Sequence, residues 1–498
     1  MRLYYLGDTM EKVTKKVVAF VFIIFITITS LIFVFNEFST RNLFIILGII
    51  IILALYYKFP ILTKWQVNKA WPYLLSIVAI SLFLRITWIY LVRAIPISDF
   101  YTYHSLATAL SEGGILYEKF LSLFPHVFGY SKVLSVIYSL FGSNTSIAVI
   151  FNILLNLGIL LLVYYIAKSL FDEKIGIIAS AIYAFWPSQI FYNPLVLTEP
   201  FFTFGLLLLV AAYLYMVKQV SKTSWRIVGF LAIGVAAGFL KFIRPATTIL
   251  IISLVIHYLF LEHKYNPDKQ VKIKEILCRA ALCLLLIASS TITSRFVLDS
   301  IENTVGVETA KNTSGFYILA GLNVESDGRW SFEDSAILES LIAEELSSED
   351  IHAALTEMGI QRLKEMDLIT FIRLQINKNT NMWGNDNRSI SYIQNSIDPS
   401  SLVNITKHST WLLLGADAYY FFFLVTSCLA LLFMKNGTKE KIKNGSYILY
   451  LYTLGTVAAH LLVEVHSRYH YSVIPLLCIP AAVFLTQFDK NQLVRKSQ

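Results

Sequence analysis

Residues 72–95, PYLLSIVAISLFLRITWIYLVRAI, followed at 96–103 by PISDFYTY, decide how this chain is read. The first stretch carries only Arg85 and Arg93 as charges. As a helix it is long enough to cross a hydrocarbon core of about 30 Å. The second stretch opens on proline and sets a carboxylate, Asp99, just beyond the apolar run. Working outward, further runs of spanning length lie at 17–35 and 43–62, and then at 146–170, 175–191, 195–217, 227–241, 246–261 and 276–297, with three more after residue 410. The sum is about twelve spans.

Composition agrees: 56% of the 498 residues are hydrophobic and 15% charged, with a mean hydropathy of +0.62, whereas soluble domains carry about 25% charged residues. The net charge of +8 comes from short Lys and Arg clusters between apolar runs. That distribution sets membrane orientation and does not form the basic face that nucleic acid requires. Lys12, Lys15 and Lys16, Lys58 to Lys69, Lys218 to Arg226, Lys264 to Lys274, Lys435 to Lys443, and Arg495 with Lys496 all fall on one side if cytoplasmic. Both termini are then expected in the cytoplasm. The run Val17–Phe35 is too long for a signal-peptide core and is read as a retained span. No organelle address is visible, so the plasma membrane is the expected location. Cys278, Cys283, Cys428 and Cys478 lie in apolar stretches without CxxC spacing, which indicates neither disulfides nor zinc.

One segment breaks the count. Val127–Phe141 is short and contains Lys132, and a crossing there would put every later basic loop outside. It is placed on the outer leaflet, so that 96–145 forms one external loop with two surface helices. Residues 299–410 are the long polar stretch, acidic in an otherwise basic chain. There Ser348, Glu349 and Asp350 read as a helix start, with a helical pattern running towards Trp383, and 320–330 reads as turn-rich loop. The expected architecture is an all-α polytopic membrane protein with an external juxtamembrane-helix loop and a mixed or mainly helical external domain. Its parts are a transmembrane region at 1–298, the external domain at 299–410 and a second transmembrane region at 411–498.

Ionisable groups at the rim of apolar segments are costly and mark function. Asp99, Lys132, Glu199, Arg244, Glu464, His466 and Arg468 all come to the outer side in this topology. Asp99 near a helix start is held ionised by the helix dipole and is suited to accept a proton from an attacking hydroxyl, unless it merely caps. Glu199 precedes Pro200, which marks a helix start, and is either a site carboxylate or an interfacial ion-pair partner. Arg244, in a turn between two short spans, offers a planar fork for phosphate oxygens, with snorkelling to headgroups as the competing use. Lys132 and Arg468 suit the same task. His466 and Tyr469 are equally suited to an aromatic belt, and Arg85 to fold support.

In this order the residues resemble the C-type membrane glycosyltransferases that use polyprenyl-phosphate sugars, in particular the family 39-like protein mannosyltransferases and lipid A aminoarabinose transferases. The likeness runs from Trp71 onward through Ser98-Asp99-Phe100, Phe124-Pro125-His126 with Gly129-Tyr130-Ser131-Lys132, Thr198-Glu199-Pro200, Arg244-Pro245 and the closing Glu464 to Pro475. The first two spans resemble an extension. The resemblance implies an inverting transfer at the outer face. In it Asp99 is the base, Glu199 orients sugar or acceptor, and Arg244 with Lys132 holds the donor phosphate. Tyr103, His126, Glu464, His466 and Arg468 complete the substrate site. The partners it implies are a polyprenyl-phosphate sugar donor, a glycan, lipid or protein acceptor, and membrane lipids, with no nucleic acid. Asp99 is followed by Phe100 where relatives carry a second acid, so no metal ligand set is assigned, although a divalent cation has room. A transporter or flippase for lipid-linked sugars is the alternative, expected to show interrupted helices in matching halves with midplane charges.

Overall fold

A computed structural model describes residues 2–35, 40–262, 273–434 and 440–487. Of the described residues 79% are helical, and among them the only strand-like pairing is the isolated antiparallel bridge Ala94–Ile397. Among the described residues, eight helices are long and apolar enough to cross a membrane: Glu11–Phe33, Asn42–Lys64, Ala70–Leu91, Thr145–Leu170, Glu199–Lys218, Thr223–Leu240, Lys274–Val305 and Ile405–Leu431. Thr247–Leu261 and Ile474–Thr486 are shorter apolar helices. The expected span at 175–191 is divided into Glu173–Ala184 and Pro187–Phe191, because Pro187 starts a new helix. The basic clusters at 264–272 and 435–439, and Arg495 with Lys496, lie outside the described residues.

Without water to compete, spans associate by close backbone contact and internal polar bonds. Gly234 and Gly238, one turn apart, let helix Thr223–Leu240 lie against Ser289, Ser290 and Thr293 of helix Ile273–Val305. Deeper in the bundle, the Tyr183 and Tyr471 hydroxyls donate to Asn156 Oδ1 at 2.6 and 3.0 Å. Arg85 is fully buried, bonded to Ser81 Oγ at 2.5 Å with Tyr183 beneath its guanidinium. The first helix is built into this body: Phe22 is fully buried, Phe25 packs edge-on to Trp383 and Thr29 donates to Asn379 Oδ1 at 3.2 Å.

The loop after helix Ala70–Leu91 holds three short helices, Asp99–Ser111, Glu118–Leu123 and His126–Phe141, where two were expected. Tyr117, in the left-handed region, and Pro125 separate the extra one. The spanning helix Ile273–Val305 continues unbroken past residue 299 into the polar domain. That domain consists of Gly315–Gly321, Phe332–Ala343, Ser348–Glu365, Leu368–Trp383 and Arg388–Ser396. Ser347, not Ser348, caps the third of these, its hydroxyl accepting from Asp350 N. The expected helix towards Trp383 is two helices, since Asp367 caps a new start at Leu368. Of the expected loop at 320–330, the first two residues close helix Gly315–Gly321 and turns follow.

The polar domain is stitched to one end of the bundle. Ile95 N donates to Ser396 O at 2.7 Å and Asp398 N to Arg93 O at 3.0 Å, which fixes the chain just before Asp99. A second apolar core joins Leu121, Leu123 and Phe124 of the loop to Phe316, Leu319, Ile351 and Leu355 of the domain. Two glycines permit close approaches that shape the site. A Cβ on Gly129 would stand 1.9 Å from Phe242 O, and one on Gly321 would stand 2.3 Å from the Val463 carbonyl carbon. Gly129→Ala therefore pushes helix His126–Phe141 off the turn that carries Arg244. Overpacking of this kind costs about 1–3 kcal/mol. The expected result is a lower unfolding temperature, measured by thermal unfolding of the purified variant.

Candidate active site

Each charged residue of the site sits where an apolar helix stops or starts. Asp99 is the first residue of helix Asp99–Ser111, entered through Ser98, whose φ of 50° is rare for a residue with a side chain. Glu199 opens helix Glu199–Lys218 with Pro200 behind it, as the sequence indicated. Arg244 follows helix Thr223–Leu240 in a turn held by Arg244 N to Leu240 O at 3.2 Å. Arg468 lies on the short 3₁₀ turn Ser467–His470. All four lie at the end of the bundle that carries the polar domain, and they touch.

Arg468 is the hub. Its Nη2 bonds Asp99 Oδ2, and its Nε lies 3.6 Å from Glu199 Oε1. Arg244 Nη1 reaches the same Glu199 oxygen at 3.1 Å. Two carboxylates thus alternate with two guanidiniums, a neutral set that limits the cost of removing charges from water. Aromatic faces supply the rest of the environment: Arg468 lies over Phe100 and Tyr392, and Arg244 over Tyr469. Glu199 is only 2% exposed while Asp99 is 47% exposed. The two acids are therefore different in kind: Glu199 is sealed behind the arginines and Asp99 is open to a visiting group.

Enclosure by protein raises the Asp99 carboxyl pKa, but the Arg468 guanidinium outweighs this, with Arg244 adding, and holds it below the usual carboxylate range. Asp99 is ionised at neutral pH. Glu464 is 7% exposed, and burial lifts its carboxyl to about 7 against the pull of Arg468. Its backbone N–H donates to Tyr317 O at 2.7 Å. His126 Nε2 meets the Tyr317 hydroxyl at 3.2 Å, and burial with Arg244 nearby brings His126 down to about 4, so it is neutral. His466 Nε2 meets the Tyr392 hydroxyl at 2.9 Å, and burial first, then Arg468, keeps it neutral too. Tyr103 packs edge-on to Tyr130 at 5.5 Å beside the same cluster.

Lys132 does not join. Tyr130 is fully buried, and Lys132, two residues on, points to the opposite side of the helix and is exposed. Three aromatic residues of the site were not singled out in the sequence, Phe100, Tyr317 and Tyr392, while Tyr469 was weighed against an aromatic belt. The sequence signal was weak, since tyrosine and phenylalanine are abundant throughout an apolar chain. No group of three or more His, Cys, Asp or Glu side chains among the described residues is placed to hold a metal ion. Asp99 and Glu199 are both engaged by guanidinium, so this donor set does not fit a resident cation.

Residues 125–292 match the family model of dolichyl-phosphate-mannose-protein mannosyltransferases. Over that segment, which includes Glu199 and Arg244, the resemblance read from the sequence is borne out. No curated protein matches the chain in sequence. Among solved structures, the chain is similar to the Archaeoglobus fulgidus oligosaccharyltransferase in complex with Zn and sulfate, at a TM-score of 0.47 and 12% identity, over 85% of this chain and 50% of that one. The archaeal oligosaccharyltransferase AglB from the same organism, with an inhibitory peptide and a dolichol-phosphate, gives 0.45 and 13% over 85% and 51%. ArnT from Cupriavidus metallidurans bound to undecaprenyl phosphate gives 0.35 and 14% over 82% and 78%. The chain spans about half the length of the archaeal protein.

Proposed function

We propose that the chain is a membrane glycosyltransferase that moves a sugar from a polyprenyl-phosphate donor to an acceptor hydroxyl at the extracytoplasmic face, with inversion at the anomeric carbon. The observation that supports this best is the pair of guanidiniums, Arg244 and Arg468, gathered around one buried carboxylate with a second, open carboxylate alongside. The family matched by residues 125–292 is named for a dolichyl-phosphate sugar donor. The basic loops between spans favour an extracytoplasmic site.

In this reading the donor phosphate binds to Arg244 and Arg468, each of which has nitrogens to spare beyond Glu199 and Asp99. The acceptor oxygen attacks the anomeric carbon as the carbon–oxygen bond to phosphate breaks. Its proton passes to Asp99, and the lipid phosphate leaves with a second negative charge that the two arginines offset. Glu199, sealed from solvent, holds both arginines and is not a sugar contact, which revises the role implied by the resemblance. The polyprenyl tail lies along the apolar bundle, and the polar domain over the cluster selects the acceptor.

Glu464 gives the reaction a pH limb. Below about pH 7 its carboxyl is neutral. Above that value it adds a negative charge beside Arg468 and opposes an anionic donor. Lys378, pushed down to about 7 by burial, loses its positive charge in the same interval, with the same sign. The Michaelis constant for the donor should rise as pH passes through about 7, and Glu464→Gln should remove most of the rise. A variant profile that matches wild type would exclude Glu464 as the source.

The function is tested with purified protein in proteoliposomes, given a radiolabelled polyprenyl-phosphate sugar and crude envelope acceptors. Label on the acceptor with release of polyprenyl phosphate is the expected result. Movement of the lipid-linked sugar across the bilayer without transfer would instead establish a flippase.

A further inference from the structure

Arg468 stands on a turn of four residues, too short to hold its own position, and what fixes that turn lies below the charged cluster. His470, its last residue, is sandwiched between the rings of Trp383 and Tyr420, at 5.6 and 5.4 Å and close to parallel with both. Its Nδ1 faces Met382 O at 2.5 Å and its Nε2 faces Asp386 Oδ1 at 3.0 Å. Both oxygens can only accept, so each contact is a hydrogen bond when its ring nitrogen carries hydrogen.

The second oxygen of Asp386 accepts from Trp186 Nε1 and from Ser188 Oγ, each at 2.6 Å. These residues begin the segment that ends at Glu199, and from Tyr192 to Pro200 that segment is continuously buried. Asp386 is held in turn: its N–H donates to Asp417 Oδ1 at 3.0 Å, and Asn387 Nδ2 donates to Asp417 Oδ2 at 2.8 Å. Asp386 is 3% exposed and Asp417 is fully buried.

We propose that Asp386 is a positioning residue for the transfer reaction: one carboxylate ties the turn bearing Arg468, through His470, to the segment bearing Glu199, through Trp186 and Ser188. The proposal rests on the functional reading above. Three donors from two chain segments converge on one buried carboxylate, a costly arrangement that a purely apolar contact between the same segments would avoid. What the carboxylate adds is direction, since hydrogen bonds fix register where apolar packing allows sliding. An error of about 1 Å at a site of this kind costs about 10²-fold in rate.

The test is a double-variant cycle on turnover with Asp386→Asn and Arg468→Lys, with unfolding temperature measured alongside. Asp386→Asn alone should lower turnover about 10²-fold. In the Arg468→Lys background the further loss should be much smaller, because the guanidinium it positions is already gone. Losses that multiply in the double variant would overturn the proposal. If Asp386→Asn does not fold, Ser188→Ala, which removes a single donor, takes its place in the same cycle with the same two outcomes. Separately, 15N-labelled wild-type protein should show one histidine with hydrogen on both ring nitrogens, a signal absent from His470→Asn. Finding hydrogen on only one nitrogen would count against the pin itself, whereas absence of transfer in a wild type that shows the signal would count against the functional reading alone.

Discussion

Replacing Asp99 with asparagine lowers sugar transfer by about 10²- to 10⁴-fold, the contribution expected of a general base, while leaving the amount of folded protein in the membrane unchanged. The fold survives because Asp99 is half exposed and its loss leaves Arg468 paired with Glu199. Asparagine keeps an oxygen for Arg468 but takes no proton from the acceptor. The Michaelis constant for the donor changes little, since Arg244 and Glu199 are intact. Initial rates at saturating donor and acceptor check this, and transfer within a few-fold of wild type would reject Asp99 as the base.

Arg468→Ala has a different signature, because it damages both the fold and the site. The guanidinium is 12% exposed and serves Asp99, Glu199, Phe100 and Tyr392 together. Removing it leaves Glu199 with Arg244 alone and Asp99 without its ion-pair partner. Breaking a buried ion pair from one side costs about 3–5 kcal/mol, most of it from the charge left behind. A marked fall in unfolding temperature and loss of donor binding are expected together. Arg468→Lys should recover part of the stability, since charge returns, but little donor affinity, because an ammonium cannot fork between two acceptors. An alanine variant as stable as wild type and still binding donor would contradict the hub assignment.

What the sequence disclosed here was dictated by the bilayer. A charge at the end of an apolar run is expensive, so Asp99, Glu199 and Arg244 stood out without knowledge of their partners, and Pro200 marked the helix start beside Glu199. Positive loops then placed all three at one end, where Arg468 links Asp99 to the Glu199–Arg244 pair. Long-range pairing was not legible: nothing local to Arg468 announces Asp99, 369 positions away. Lys132 was misplaced because a charge in a short apolar helix says nothing of its direction until Tyr130 is known to face inward. The helix break at Asp367 and the cap at Ser347 were missed because several polar residues near each start were equally able to cap. The partnership of Asp386 and His470 gave no signal: His470 was one unmarked residue of the closing Glu464 to Pro475 stretch, Asp386 lay in the polar domain, and their meaning arises only from burial between Trp186, Trp383 and Tyr420.

Arg244 and Arg468 are proposed as the cradle for a lipid phosphate. The most direct measurement is equilibrium binding of decaprenyl phosphate and of the uncharged decaprenol to purified protein in nanodiscs, for wild type and for Arg244→Ala. The phosphate should bind wild type far more tightly than the alcohol, and the difference should largely vanish in the variant. Equal binding of the two lipids to wild type, or undiminished preference for the phosphate without Arg244, would contradict it.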